Sequence, residues 1–76
     1  MTHIERIAIH ENYKLEAHLD NGSIITLSLK NRLKTLRFAF LADPDFFARA
    51  TTDGRFIRWG DKVEISLTEL FQLAQR

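Results

Sequence analysis

The side chains best suited to bind an anionic group are arginines in the second half of the chain. Arg49 and Arg58 lie on either side of Asp53-Gly54, a dipeptide typical of a two-residue β-hairpin loop. Such a loop would set the two arginines directly opposite each other, although like charges destabilise a strand pair. Two guanidinium groups held side by side suit a phosphate or a carboxylate of a partner. The predicted partner- or anion-binding face of this hairpin comprises Arg49, Arg55, Phe56 and Arg58.

A simpler interpretation of the same arginines is ordinary surface pairing. Both side chains could extend into water or pair with nearby acidic residues, namely Asp53, Asp61 and Glu64. Surface ion pairs of this kind are frequent and contribute little to stability. The sequence leaves both interpretations open.

A second cluster of cations lies in the middle of the chain. The chain has no acidic residue from position 21 to position 42. The four basic residues of the cluster are Lys30, Arg32, Lys34 and Arg37. Basic residues near Phe38 and Phe40 would suit nucleic acid, because bases stack on aromatic rings. Four charges are few, however, and the net charge of +1 provides no overall attraction to nucleic acid. Nucleic-acid binding is therefore the alternative rather than the leading prediction.

No arrangement of residues in the sequence indicates catalysis or metal binding. The three histidines, His3, His10 and His18, lack helical ligand spacing and are expected in solvent. The carboxylates form no convergent pair, and the serines have turn, strand and helix-cap roles. We therefore predict no enzyme activity, no cofactor and no metal site.

Alternating apolar residues predict the strands that carry these side chains. Residues 13–20 and 25–29 each place an apolar side chain at every second position, which indicates half-buried strands. Between them, Asp20-Asn21-Gly22 could form a two-residue or a three-residue loop. Only the three-residue loop pairs apolar residues with each other, such as Leu15 with Leu27. We therefore predict a type I turn followed by a bulge at the glycine.

The segments before and after this hairpin are harder to interpret. An upstream strand joined by a loop at residues 10–12 would set Arg6 opposite Glu16, a favourable pair of charges. The apolar residues of positions 31–42 fit either a short helical stripe or an extended chain. We predict irregular structure with a helical turn there.

The end of the chain combines a second hairpin with a helix. In the hairpin, Trp59 would face Ala48, so that a large core side chain packs beside a small one. Residues 66–69 have the form of a capping box, with Ser66 as N-cap and Glu69 reaching back. The helix should run to about Gln75, and its apolar face comprises Leu67, Leu70, Phe71 and Ala74.

These elements predict an α+β fold: an antiparallel sheet of about five strands, a three-strand meander plus a hairpin, packed against a C-terminal helix. The length of 76 residues fits a single domain spanning residues 1–76. The hydrophobic content of 45% is ordinary for a globular domain, and the absence of cysteine excludes disulfides. A core of this size is marginal, so homodimerisation is a further way to bury apolar surface.

Nothing in the sequence predicts export or membrane insertion. Residues 1–6 are polar, unlike the apolar core of a signal peptide. No apolar run approaches the roughly 20 residues that span a bilayer. We therefore expect a cytoplasmic protein without a membrane partner.

The order of these elements resembles a known bacterial family. Residues 13–22 are similar to the first hairpin of the bacterial domain of unknown function 2442 family. The similarity continues at Phe47, Ala48, Gly54, residues 57–61, Ile65 and Leu70. The resemblance implies a small α+β domain. Some members are fused to a helix-turn-helix domain, which we do not expect here, and others are encoded beside a second small protein, as in toxin–antitoxin pairs.

The leading functional prediction is a non-catalytic protein-interaction or regulatory module. The resemblance implies the antitoxin-like partner of a small two-gene bacterial system, with a protein as its binding partner. The alternative is a small nucleic-acid-binding regulator that uses residues 30–37 and the hairpin face of Arg49 and Arg58.

Overall fold

The first half of the chain folds into a three-stranded antiparallel meander. The computed structural model describes residues 2–75. The strands of this first sheet are β1 (Ile4–His10), β2 (Lys14–Leu19) and β3 (Ile24–Ser28), with β2 in the centre. Alternate residues of β2 are buried, and Leu15 and Ala17 have no solvent exposure. One face of the sheet therefore forms core, as the alternation of apolar residues predicts.

The turn between β2 and β3 confirms the three-residue loop. Leu15 pairs with Leu27, which keeps apolar side chains on one face. Gly22 has a φ of +87°, and its N–H donates to the carbonyl of Leu19 at 3.1 Å. Glycine accepts this left-handed conformation because it has no Cβ.

The predicted register between β1 and β2 is wrong. The turn comprises residues 11–13, so Arg6 faces His18 rather than Glu16. Tyr13 adopts a left-handed φ of +61°, which is unusual for an aromatic residue, and its side chain packs against the core. The pattern of apolar residues gives no sign of such a conformation, so the turn lies one residue later than predicted.

A β-bulge near the start of β1 brings Ile4 into the core. Ile4 pairs with Leu19, whereas Arg6 pairs with His18, so Glu5 is the extra residue. The bulge changes the alternation of side chains along β1. Ile4 is consequently only 4% exposed.

Residues 29–43 link the two halves of the molecule and are called the connecting segment below. They include two short 3-10 turns, Lys30–Arg32 and Ala39–Ala42. Phe38 and Leu41 are buried, while Leu36 and Phe40 are exposed. The prediction of irregular structure with a helical turn is confirmed, but neither the helical stripe nor the extended chain matches this pattern of burial.

The second half of the chain forms another three-stranded antiparallel sheet. Its elements are α1 (Pro44–Phe47), β4 (Thr51–Thr52), β5 (Phe56–Trp59) and β6 (Val63–Ser66), with β5 in the centre. The strand β6 is absent from the sequence-based prediction. Its signal is the alternation of Val63 and Ile65, both buried, with the exposed Glu64 between them.

The loop between β4 and β5 is longer than the predicted two residues. The Oδ1 atom of Asp53 accepts hydrogen bonds from the backbone N–H groups two and three residues further on, each at 3.0 Å. These bonds close a wider turn than a type I′ turn allows. Arg58 therefore faces Thr51, and its predicted placement opposite Arg49 is wrong.

Helix α2 (Leu67–Gln75) follows β6 directly and begins with a capping interaction. The Oγ of Ser66 accepts a hydrogen bond from the backbone N–H of Glu69 at 3.1 Å, which confirms the predicted N-cap. The carboxylate of Glu69 bonds to Arg37, and the backbone of Ser66 also lowers the pKa of this carboxyl group, as the predicted capping box implies.

One face of α2 packs against β3 and β6. Leu70 is fully buried on this face, as predicted. Phe71 was expected beside it but is 42% exposed, and Leu73 packs against the core from the same helix. Within residues 2–75, no helix is long and apolar enough to cross a membrane.

The α+β class with a C-terminal helix is confirmed, but a single sheet of about five strands is wrong. The two sheets meet where the backbone N–H of Ile4 donates to the carbonyl of Gly54 at 2.7 Å. Pairing does not continue because β4 has two residues and the bulge at Glu5 interrupts β1. The described residues therefore form two sheets of three strands.

Trp59 lies in the core shared by the two sheets. It has no solvent exposure, which confirms its predicted burial. Its ring stacks on Phe47 with centroids 6.0 Å apart, and its Nε1 donates to the carbonyl of Phe47 at 2.9 Å. The predicted contact with Ala48 across a ladder is wrong, because β4 comprises only Thr51–Thr52 and Ala48 lies at the end of α1.

Candidate functional site

Arg37 attaches the connecting segment to β6 and α2. Its guanidinium group donates to both carboxylate oxygens of Glu69, and Nη2 also donates to the carbonyl oxygen of Glu64 at 2.7 Å. The bond between Arg37 and Glu69 raises the pKa of the arginine and lowers the pKa of the carboxyl group. The guanidinium also lies 5.0 Å from the centre of the Phe38 ring. These contacts give Arg37 a structural role.

Arg58 is occupied in a similar way. Its Nη1 donates to Asp53 at 2.6 Å and its Nε to Glu64 at 2.9 Å, and it lies 4.9 Å from the centre of the Phe56 ring. The hydrogen bonds that Arg58 donates, first to Glu64 and then to Asp53, raise the pKa of Arg58. The surface-pairing interpretation therefore describes this arginine. Arg37 and Arg58 converge on the same glutamate residue, one on its carbonyl and one on its carboxylate.

The other predicted basic residues lie at the surface in two separate parts of the chain. Within residues 2–75 no ion pair involves Lys30, Arg32, Lys34, Arg49 or Arg55. Arg32 is half-buried and the other four are exposed. Three of them belong to the connecting segment, and the other two flank the strand β4. Their part in binding a partner stays a prediction.

Two large apolar side chains of the connecting segment face solvent. Leu36 is 97% exposed and Phe40 is 55% exposed. The sequence-based interpretation considered Phe40 only as a ring on which bases could stack, and it did not identify Leu36 as a site residue. The available signal is the spacing of Phe38 and Leu41, because residues three apart share one side of a 3-10 turn. Because these two residues fill the core, Phe40 between them faces outward.

An aromatic ring and an ammonium group lie beside Phe40. The ring centroids of Phe40 and Phe46 are 6.3 Å apart and tilted by 54°. The Nζ atom of Lys62, from the turn between β5 and β6, lies 5.5 Å from the centre of the Phe40 ring. We use the name Phe40 surface for the side chains of Phe40 and Lys62 together with the exposed Leu36, which precedes Phe40 by four residues in the connecting segment.

The histidines of the first sheet contact a carboxylate. The Nε2 atoms of His10 and His18 lie 3.3 Å and 3.1 Å from the two oxygens of Glu16. The hydrogen bond of His18, followed by the charge of His10, lowers the pKa of Glu16. Within the described part of the chain, no group of three His, Cys, Asp or Glu side chains is arranged to hold a metal ion.

The fold is shared with a protein of known structure. The chain is similar to the crystal structure of putative DNA binding protein NE0471 from Nitrosomonas europaea ATCC 19718, with a TM-score of 0.77 and 20% sequence identity. The similarity covers 97% of this chain and 49% of that chain, so this chain spans about half the length of NE0471. At this level of identity the likeness shows the fold alone. No family model and no curated protein matches the chain.

Proposed function

We propose that this chain is a non-catalytic protein-interaction module with a regulatory role, which binds its partner through the Phe40 surface. The observation that carries this proposal is the 97% exposure of Leu36 on a segment that Arg37 holds to the fold. Covering an aliphatic side chain removes apolar area from water, which is favourable. Exposed apolar surface that polar residues surround is typical of sites that another protein covers.

The connecting segment is held at several points along its length. Arg37 bonds to Glu69 of α2, and the hydroxyl of Tyr13 donates to the carbonyl of Ala42 at the end of the segment. Phe38 lies between these two points and is buried. A surface that is already ordered loses little conformational entropy on binding, which favours affinity.

The proposed biological setting is a small two-gene bacterial system, in which this chain is the antitoxin-like partner of a second protein. We also propose that the chain belongs to the bacterial domain of unknown function 2442 family. The support for both statements is the resemblance of residues 13–22 and of the later positions named above.

A double substitution of the exposed apolar residues tests the proposed function. We expect the tagged full chain to recover a stoichiometric protein from its native cells after nuclease treatment. Leu36→Ser combined with Phe40→Ser should abolish this recovery and lower the melting temperature only slightly, because Leu36 lies almost entirely in solvent and Phe40 is 55% exposed.

Ile24→Ser is a matched control for this experiment. Ile24 is also an exposed apolar residue, at 56%, but it lies on β3 of the first sheet. The control chain should recover the partner as the unmodified chain does. Recovery that is unaffected by the double substitution, or that disappears after nuclease treatment, would contradict the proposed function.

Nucleic-acid binding is a second candidate function. The similar structure, NE0471, is named as a putative DNA binding protein. Lys30, Arg32 and Lys34 make no ion pair with residues 2–75 and could contact phosphates. A mobility-shift experiment at low salt, with mixed DNA and RNA, should then show retardation that is lost when these three residues are changed to Gln. The absence of retardation would exclude this candidate.

A further inference from the structure

The strand β3 is an open edge of the first sheet. Within residues 2–75 it pairs with β2 alone. The backbone N–H of Leu19 donates to the carbonyl of Ser23, and that of Leu29 donates to the carbonyl of Tyr13. Bonded and non-bonded pairs alternate along an antiparallel ladder, so every second residue of β3 directs its backbone groups away from β2. These outward residues are Ile24, Thr26 and Ser28.

The outward backbone groups have space beside them. No hydrogen bond within residues 2–75 joins them to another group. A groove next to them is lined by Thr26 and Ser28 of β3 and by Leu73 and Ala74 of α2, so the helix leaves this edge accessible. A row of unpaired backbone groups is a template on which another strand can pair.

The sequence of β3 has none of the features that protect an edge strand. Charged side chains, proline and bulges discourage a further strand from pairing. The five residues of β3 include none of these, and Ile24 is 56% exposed. The other edges are different. A bulge at Glu5 interrupts β1, and Arg37 bonds to the backbone of β6 at Glu64.

We propose that β3 pairs in antiparallel orientation with β3 of a second copy of the chain, about a twofold axis at Thr26. In this register Thr26 faces Thr26 of the second copy, and Ile24 faces Ser28. Each facing pair would exchange two backbone hydrogen bonds, so every outward group of β3 would have a partner. The inference goes beyond the proposed function, because β3 is separate from the Phe40 surface.

The side chains match in the same register. Ile25 would lie opposite Leu27 of the second copy, so the apolar inner faces of the two sheets would join. Two threonines facing each other form a favourable cross-strand pair. The added strand would also cover Leu73 and Ala74, which are only partly buried. A register shifted by two residues would leave one outward residue of β3 without a partner.

The charges at the ends of β3 favour a second copy over an unrelated strand. Asp20 precedes β3, and Lys30 and Arg32 follow it. Because the two strands would run in opposite directions, the acidic end of each copy would lie towards the basic end of the other. Within residues 2–75 no ion pair involves Lys30 or Arg32, and Asp20 contacts His3 at 3.5 Å. Arg6, at the acidic end, lies two strands away on β1.

Single cysteines test the register, because the chain has no cysteine of its own. Residues that face each other in a bonded pair have Cα atoms about 5.5 Å apart, which a disulfide can bridge. Thr26→Cys should therefore give a disulfide-linked dimer on a non-reducing gel after mild oxidation. Ile24→Cys and Ser28→Cys are matched controls on the same exposed face. Each lies away from the twofold axis and should remain monomeric on this gel.

Analytical ultracentrifugation tests the association itself. We expect the unmodified full chain to form a dimer. Thr26→Lys should raise the dissociation constant by at least about tenfold, because two ammonium groups would face each other across the axis. Thr68→Lys makes the same change at an exposed residue of α2 and should alter the dissociation constant by less than about twofold. Circular dichroism confirms that both variants fold.

Several results would overturn the inference. One is a chain that stays monomeric at every concentration up to about 1 mM. Another is a cysteine at position 24 or 28 that cross-links as readily as one at position 26. A dimer that Thr26→Lys leaves intact but that Leu36→Ser combined with Phe40→Ser disrupts would place the contact at the Phe40 surface instead.

Discussion

Asp53 uses one carboxylate group to organise a loop and to hold an arginine. Its Oδ1 accepts from the N–H groups of Arg55 and Phe56, and its Oδ2 accepts from Arg58. These bonds lower the pKa of Asp53 from 3.8 to about 2, and the bond from the backbone of Arg55 has the largest effect. A carboxyl group whose pKa is lower in the folded chain than in the unfolded chain stabilises the fold in its charged form.

Asp53→Asn should make this contribution visible as a dependence on pH. The asparagine oxygen can still accept the loop bonds, but the charge that binds Arg58 is lost. We expect the unmodified chain to be more stable than the variant at about pH 7, and the difference to shrink as the pH falls from about 4 towards 2. Urea unfolding across this range measures the difference. A difference of constant size down to about pH 2 would contradict the prediction.

The pair of Arg37 and Glu69 has favourable bidentate geometry but lies partly in solvent. The side chain of Arg37 is 48% exposed and that of Glu69 is 32% exposed. Water screens such a pair, so we expect a coupling energy of about 0.5–1 kcal/mol, near the upper end for surface pairs. Arg37→Lys should lose most of it, because a single ammonium group cannot reproduce the two parallel bonds.

A double-mutant cycle measures this coupling through urea unfolding. The chains needed are Arg37→Ala, Glu69→Ala, the double variant and the unmodified chain. A coupling energy indistinguishable from zero would mean that the bond does not hold the connecting segment in place. Leu36 would then not be presented in a fixed position.

At the scale of single elements, the turn between β2 and β3 depends on one glycine. Gly22 has a φ of +87°, and nothing lies within 4 Å of the position that a Cβ would occupy. Gly22→Ala should therefore destabilise the fold through backbone strain alone, by about 1–2 kcal/mol. Gly22→Asn should lose less, because asparagine tolerates the left-handed region better. Urea unfolding of both variants checks this order, and an alanine variant as stable as the unmodified chain would contradict it.

This turn also shows which parts of the fold the sequence could predict. Apolar residues at alternate positions distinguish a two-residue from a three-residue loop, because the wrong loop would place apolar side chains on both faces. The turn before β2 was not predictable in this way. It depends on Tyr13, whose hydroxyl donates to Ala42 and whose ring contacts Phe47 with centroids 5.4 Å apart. Contacts between residues that lie about 30 positions apart in the chain leave no pattern in the local sequence.

The candidate site was predictable in its charges but not in its geometry. The basic residues are plain in the sequence, yet the partner of Arg37 is a carboxylate 32 positions away. The placement of Arg58 depends on the loop between β4 and β5. The dipeptide Asp53-Gly54 predicts two residues for this loop, but the bonds that Asp53 accepts make it longer. The exposure of Leu36 follows from the burial of Phe38, which only the packed structure reveals.

At the scale of the whole molecule, two small sheets depend on one core. A sheet of three short strands with one apolar face is stable only when something covers that face. Buried residues of both sheets, such as Leu15 and Leu27 of the first and Ile57 and Trp59 of the second, belong to the same cluster. Helix α2 contacts β3 of one sheet and β6 of the other. We therefore expect the two sheets to unfold together in a single transition.

Matched substitutions in the two sheets test this cooperativity. Ile4→Val lies in β1 and Ile65→Val in β6, and each isoleucine is almost fully buried. Each change should lower the free energy of unfolding by about 1 kcal/mol. Trp59 fluorescence reports on the second sheet, and far-UV circular dichroism reports on the whole backbone. If the core is shared, Ile4→Val will shift both transitions by the same amount, even though Trp59 lies in the other sheet. A fluorescence midpoint that responds to Ile65→Val but not to Ile4→Val would mean that the sheets unfold independently.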